Sequence, residues 1–503
     1  MSWLLWLSLA YAGDPALVVE TVEQEPPVAA GVDRNCEQND CEESLLVDRS
    51  APPPVVASSP IALPAFDEKT LPGGVKLRTL YQEGLRRALI QVRLFRGRTD
   101  MADSRPEIAS FYEALVTKAT KNYSSESLEL ETDLHDIGLY LDHGLWHSTL
   151  SVMVPAGDVE KGFELLNEVL FRPSFSRKEL KLHREENRRY YQTSCPTSPA
   201  CVANSALSYA WFPEESVYGT RPDLDLISAI KRSTLKARHL ELLTDAPIEL
   251  VVVGDWSEEQ ILNESSAISS QLNAANRATK RTSFVPQAGH RVIGVDMPAG
   301  SQTVIRYRLA APVYEEPDAS LITLANWALG GHFLSRLNRN LREEKGLTYG
   351  VYSSYYSVQD RAHFTVRLDV AAENTSLAVQ EILGEFGRLA AEGLSEQELA
   401  DAKTSQLMDW NKTLESSDST ADFYTSIMDY DETVSMRSER IKSMVDVPLA
   451  TVNGAAGRWF TPNAVDGSSV LVVVGPRTEI EKQDWEGVKI QWISAEDAIL
   501  GSF

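Results

Sequence analysis

The sequence predicts an α+β protein built from two similar halves, and three observations carry that expectation. Strand-like and helix-like patterns fall into separate blocks, which points away from a doubly wound parallel sheet. The blocks follow the same order twice along the chain. Each half then closes on nearly the same apolar phrase, Leu250-Val251-Val252-Val253-Gly254 and Leu471-Val472-Val473-Val474-Gly475. Together these describe an internal duplication of about 200 residues per copy.

Taken in order, the chain opens on an apolar run over residues 3–9 followed by Ala10-Tyr11-Ala12. Residues 1–12 therefore resemble a signal peptide with an A-x-A cleavage site, and the expectation is export to a bacterial periplasm or secretion. Residues 13–68 are rich in Pro, Ala, Val, Glu and Asp, including Ala51-Pro52-Pro53-Pro54, and read as an extended acidic tether. A first lobe is expected over 69–280. Partial alternation predicts strands near 75–81, 88–95, 137–142 and 147–154, with helices near 104–120, 158–170 and 176–192 and a closing strand at 250–254. A second lobe is expected over 285–490, with strands at 291–296, 302–309, 347–356 and 361–370. Its helices are placed at 318–329, 333–344 and along 374–458, ahead of the closing strand at 471–475.

Composition bounds the function. Of the 503 residues 43% are hydrophobic and 24% charged, which is ordinary for a globular chain long enough to need more than one core. The net charge of −24 argues against nucleic acid and against an anionic membrane surface, since both are gripped by clustered Lys and Arg. No run reaches the ~18 apolar residues of a transmembrane helix. Four cysteines form two close pairs, Cys36 with Cys41 and Cys195 with Cys201. In an exported chain an even count suggests disulfides, with three connectivities open. Neither pair has the C-x-x-C spacing of a structural zinc site.

The opening Leu71-Pro72-Gly73-Gly74-Val75-Lys76-Leu77, the order of elements and the second-half phrase Leu341-Arg342-Glu343-Glu344-Lys345-Gly346-Leu347-Thr348-Tyr349 resemble the pitrilysin/insulinase family of zinc endopeptidases. The resemblance spans residues 68–490 and implies two peptidase-like lobes in a clamshell arrangement. In that family the leading helix of the first lobe carries H-x-x-E-H, with a Glu ligand about 75 residues further on. Residues at i and i+4 share one helical face, and the Glu between them reaches the zinc-bound water that becomes the nucleophile.

Here the matching stretch is Glu107-Ile108-Ala109-Ser110-Phe111-Tyr112-Glu113-Ala114-Leu115. The two His positions fall on Ser110 and Ala114, and only the base position survives, as Glu113. The third ligand position falls on Tyr190, with Glu185 and Glu186 nearby. A carboxylate or two without imidazoles makes a poor zinc site. No metal or cofactor is expected on this chain, and zinc is expected only in a partner. Glu113 then reads either as a residual base position or as an ordinary surface or ion-paired carboxylate. His143 and His147, with His135 and Asp133 upstream, are the other candidate metal cluster, although Gly144 interrupts their register.

In active relatives an Arg/Tyr pair from the opposite lobe contacts the substrate backbone and steadies developing oxyanion charge. Arg342 and Tyr349 stand at the matching positions, with Gly346 placed to end the helix in a left-handed turn. Without the resemblance they read as a helix-end Arg and a core Tyr. The resemblance thus implies a catalytically inactive, peptide-binding subunit that pairs with a zinc-bearing paralogue in a two-chain endopeptidase, or that forms a homodimer. The alternatives are a stand-alone periplasmic peptide-binding or scaffold protein, and an enzyme with a metal site around His143 and His147.

Overall fold

The structure is a computed structural model describing residues 60–501 except 101–104, 215, 273–288, 359–360, 431 and 462–467. The candidate signal segment and most of the tether lie outside the described residues. Of the four candidate disulfide cysteines, Cys195 and Cys201 are bonded to each other, whereas Cys36 and Cys41 fall outside the described residues. The two-lobe α+β architecture is as expected. The first sheet contains β1 Asp67–Thr70, β2 Lys76–Tyr81, β3 Arg87–Leu94, β4 Gly138–His143, β5 Ser148–Pro155 and β6 Ile248–Gly254, in the order β1-β2-β6-β3-β5-β4. The second contains β7 His290–Asp296, β8 Gln302–Ala310, β9 Val351–Val358, β10 Arg361–Ala371, β11 Ser469–Gly475 and β12 Gln491–Ile493, in the order β12-β7-β11-β8-β10-β9. Five strands of the second order repeat the first, β7-β11-β8-β10-β9 matching β2-β6-β3-β5-β4, while the edge strands differ: β1 comes first in the chain and runs antiparallel to β2, and β12 comes last and runs parallel to β7.

The repeated apolar phrase occupies the equivalent inner strand of each sheet. β6 runs parallel to β2 and antiparallel to β3, as β11 does to β7 and β8. A strand with one wet face would alternate, whereas a strand covered on both faces reads as a continuous apolar run. Both faces are covered here. Val252 and Leu250 belong to the core of the first lobe, as Val473 and Leu471 belong to that of the second. The terminal glycines have a separate cause: a Cβ on Gly254 would lie 2.8 Å from the Cα of Ala88, and one on Gly475 2.7 Å from Thr303 Oγ1.

The opposite faces are covered by exchange. Val251 and Val253, with Leu80, Leu89 and Met153, pack under Ala421, Tyr424 and Ile427 of the second-half helix Ser417–Asp429. Val470, Val472 and Val474, with Ile293, Val295 and Val304, pack under Val202, Ala206, Leu207 and Trp211 of the first-half helix Pro199–Trp211. Ala203, Ala206 and Ala210 let that helix approach the sheet closely. Its start is fixed by Pro199, by the Ser198 hydroxyl accepting from the Cys201 N–H, and by the Cys195–Cys201 disulfide. At about 1.5–3 kcal/mol per buried large aliphatic side chain, these two layers dominate the cohesion between the lobes.

Polar contacts then fix the register of the exchange. Arg93, fully buried on β3, donates to Asp429, and Gln82 Nε2 donates to the Leu414 carbonyl at 2.9 Å. Arg306 Nε donates to Asn204 Oδ1 at 3.2 Å in the other layer.

Two sequence expectations need correction. The tether does not run to residue 68: residues 60–66 are docked on second-half helices, and Asp67 already begins β1. Asn411 Oδ1 accepts the Ile61 N–H at 3.0 Å, Trp410 Nε1 donates to the Ile61 carbonyl at 3.1 Å, and Phe66 packs 4.7 Å from Tyr424. The helical run over 374–458 is five helices, because Gly393, with φ of 72°, and a series of Ser and Thr N-caps divide it.

Replacing Asp429 with Ala leaves the Arg93 guanidinium buried without its carboxylate, and breaking such a pair costs about 3 kcal/mol. Urea unfolding is expected to show that loss. Because the pair belongs to both lobes, fluorescence and far-UV dichroism should shift together rather than separate into two transitions.

Candidate functional site

The leading helix of the first lobe spans Pro106–Val116, started by Pro106 and buried through Ile108, Phe111, Tyr112 and Leu115. That spacing leaves Ser110 exposed and Glu113 half-buried, while Ala114, also half-buried, packs against the edge of the core. Glu113 pairs with Arg98 at 3.6 Å. Burial pushes its carboxyl up to about 7, against the pull of Arg98 and with a smaller push from Asp142.

The other sequence-predicted positions do not complete a zinc site. Tyr190 begins a π-helical turn, Tyr190–Ser194, at the end of the helix Arg177–Arg189. Its hydroxyl lies 3.1 Å from Cys201 Sγ, and burial holds the phenol above its ordinary value. Glu185 and Glu186 are well exposed and face Lys181 and His183 of their own helix, each at 3.8 Å. Ser110 and Ala114 offer a metal nothing comparable to two imidazoles. Among the described residues no group of three or more His, Cys, Asp or Glu is arranged to hold a metal ion. The residues present do not fit zinc.

His143 and His147 do not converge either. His143 ends β4, buried completely, and its two ring nitrogens are both engaged: Nε2 lies 2.9 Å from Arg238 Nη1 and Nδ1 lies 2.7 Å from Ser148 Oγ. A guanidinium only donates, so Nε2 is the acceptor and Nδ1 carries the proton. Burial, reinforced by Arg238 and Arg98, drives the imidazole down to about 2. His147 instead faces Asp429 at 3.4 Å across the lobe junction. The turn at Gly144 gives the two rings different surroundings.

The second-lobe phrase is arranged differently from a plain helix and strand. The expected helix over 333–344 is one short turn, Arg336–Asn338, that widens into a π-helical turn, Arg339–Glu344. Such wide turns recur at functional sites. Gly346 ends it at φ of +63°, as expected, and the Leu347 N–H reaches back to the Leu341 carbonyl at 2.7 Å. The expected strand does not start at 347. Thr348 Oγ1 accepts the Gly350 N–H at 3.3 Å and lies 2.8 Å from the Asp369 carbonyl, while Asn338 Oδ1 accepts the Val351 N–H at 3.1 Å. Pairing therefore begins at Val351, and Tyr349 projects from the turn with 95% of its surface exposed.

Arg342 is half-buried over the ring of Phe333, 4.1 Å from its centroid, and Phe333 is itself 51% exposed. Among the described residues its Nη1 has no hydrogen-bond partner, and no ion pair holds the side chain. The neighbouring Arg336 shows the contrast, being locked bidentately on Glu398 at 2.6 and 2.7 Å.

The sequence reading missed one buried carboxylate. Glu107, a turn before Ser110, is buried; it accepts the Asp223 N–H at 2.5 Å through Oε1 and leaves Oε2 without a partner. Burial raises its pKa. A Glu in the first turn of a helix gives no sequence signal for this.

Residues 229–406 match the family model described as Peptidase M16 inactive domain. An uncharacterized zinc protease of Mycobacterium leprae (strain TN) is 23% identical over 341 residues, 67% of this chain and 76% of that protein. The solved peptidase M16 inactive domain from Pseudomonas fluorescens aligns with a TM-score of 0.71 at 19% identity, over 82% of this chain and 98% of that one. The periplasmic protease PqqL from Escherichia coli aligns with a TM-score of 0.67 at 17% identity, over 90% of this chain and 49% of PqqL. These structural likenesses carry the two-lobe fold.

The raised Glu113 carboxyl has a stability consequence. Its folded value of about 7 stands above the unfolded ~4.3, so its contribution is fully present below ~4.3 and is lost as pH rises through 7. Glu113→Gln removes that titration. The melting temperature of the variant minus that of the parent should therefore rise between pH 4.5 and 7.5, and scanning calorimetry across that range checks the sign.

Proposed function

We propose that this chain, which resembles peptidases of the pitrilysin/insulinase (M16) type but lacks the zinc motif, is the peptide-binding, non-catalytic subunit of a two-chain endopeptidase. A zinc-bearing paralogue supplies the metal and the water that attacks the peptide. This chain supplies Arg342 and Tyr349. The observation that carries the reading is the exposure of Tyr349 together with an Arg342 that no carboxylate claims. A core Tyr and a salt-bridged Arg would have left nothing to offer a ligand.

The chemistry suits a peptide carbonyl. A phenol and a guanidinium both donate hydrogen bonds, and the Phe333 ring holds the guanidinium in place from one side. Donors held ready before the substrate arrives stabilise an oxyanion at little reorganisation cost. The apolar run at residues 3–9 and the Cys195–Cys201 disulfide support export as the setting, as does the likeness to a periplasmic protease.

Copurification from the native cell should bring down a zinc-bearing paralogue, and the purified chain alone should be without peptidase activity. Arg342→Ala should lower kcat/KM of the reconstituted pair by about 10²-fold. Its stability should stay within about 0.5 kcal/mol of the parent, since no ion pair is lost. Undiminished activity in that pair would remove Arg342 from the role. Peptide binding by the isolated chain with no partner recovered would favour the stand-alone binding protein.

A further inference from the structure

The second lobe half-buries two guanidiniums and an imidazole with, among the described residues, no anion beside them. Arg308 on β8 and Arg361 and His363 on β10 lie on the sheet face that the first half covers. They meet Phe212 and Tyr218, which follow the helix Pro199–Trp211, and Tyr356 of the neighbouring β9. The Arg361 guanidinium sits 4.0 Å from the Tyr218 ring centroid and 5.2 Å from that of Tyr356. Arg308 and Arg361 approach Phe212 together, at 5.9 and 6.0 Å, and the His363 ring lies 5.1 Å from Tyr356.

Their hydrogen bonding is incomplete. Arg308 Nε donates to Thr365 Oγ1 at 3.2 Å, and Arg361 Nη2 donates to the Tyr356 hydroxyl at 2.9 Å. Arg308 Nη1, Arg361 Nε and His363 Nδ1 are buried atoms with no hydrogen-bond partner among the described residues. Among the described residues no carboxylate pairs with any of the three. A shortage of acids is not the reason, because the chain holds 72 Asp and Glu against 48 Lys and Arg.

An aromatic face attracts a cation but satisfies none of its N–H groups in the guanidinium plane. A buried donor without a partner is destabilising, and more so when it is charged. Two guanidiniums held against the same ring also repel each other. Burial and the neighbouring Arg361 and Arg367 push Arg308 down to about 9. One anion placed among the three would satisfy the donors and offset the repulsion.

We propose that Arg308, Arg361 and His363 form an oxyanion site, in which a carboxylate or phosphate group accepts from the orphaned nitrogens between the walls of Phe212, Tyr218 and Tyr356. Guanidinium pairs are suited to two-oxygen anions because their N–H groups match the spacing of the acceptor oxygens. The ligand bridges the lobes, since its hydrogen-bond donors come from the second sheet and two of its aromatic walls from the first half. The site is separate from Arg342 and Tyr349 and does not depend on the peptidase pairing.

The test is thermal unfolding of the full chain in sodium acetate, inorganic phosphate or sodium chloride at matched ionic strength. A saturable rise of about 2 °C or more over chloride is expected with at least one oxyanion. A preference for acetate marks a carboxylate-bearing ligand and a preference for phosphate a phosphoryl-bearing one; either supports the site. Arg361→Gln and Arg308→Met should each abolish the rise while keeping the far-UV spectrum. Should either variant fail to fold, calorimetric titration of the parent with the same two anions decides the matter by saturation at one site. No effect beyond chloride with either anion, or an undiminished rise in both folded variants, overturns the proposal.

Discussion

The architecture depends on the way its two inner strands are covered from both sides. β6 and β11 each have one face in the core of their own lobe and the other under a helix from the opposite half. Neither sheet is closed without the other half of the chain. The buried Arg93–Asp429 pair and the Arg306–Asn204 hydrogen bond contribute less cohesion than the apolar layers. They specify where each helix sits, because a shift along the strand would strand a buried charge.

That interlock places the two ends of the functional argument in different chemical settings. On the first-lobe helix the positions that would grip a metal are a hydroxyl and a methyl group, and the surviving Glu113 leans on Arg98. In the second lobe, Arg342 rests on the Phe333 ring and Tyr349 is exposed, while several of their neighbours are tied down. Arg336 is held by Glu398, Asn338 by the Val351 backbone and Thr348 by its own turn.

Much of the fold was legible in the sequence because period and punctuation are local properties. The repeated apolar phrase gave the two-lobe plan, and β2 to β8 begin and end within about two residues of the pattern read from alternation. The exchange of helices was not legible, since Ala421, Tyr424 and Ile427 show only that their helix has an apolar face and not which sheet it covers. The erased metal positions could be read residue by residue from the H-x-x-E-H spacing. The exposure of Tyr349 could not, because it follows from Thr348 and Asn338 delaying the strand to Val351. The cluster of Arg308, Arg361 and His363 was equally hidden: two strands far apart in sequence bring it together, and nothing in either strand alone marks it.

The helix exchange also sets an order of events at the ribosome. The first sheet is fully synthesised once Gly254 has emerged, yet its outer face stays bare until Asp429 follows, about 175 residues later. At about 5–20 residues per second that interval is on the order of 10–35 s. Through it Leu80, Leu89, Met153, Val251 and Val253 form an apolar surface with no cover of its own. Until the helix Ser417–Asp429 is made, that surface can be covered only by something other than its native partner.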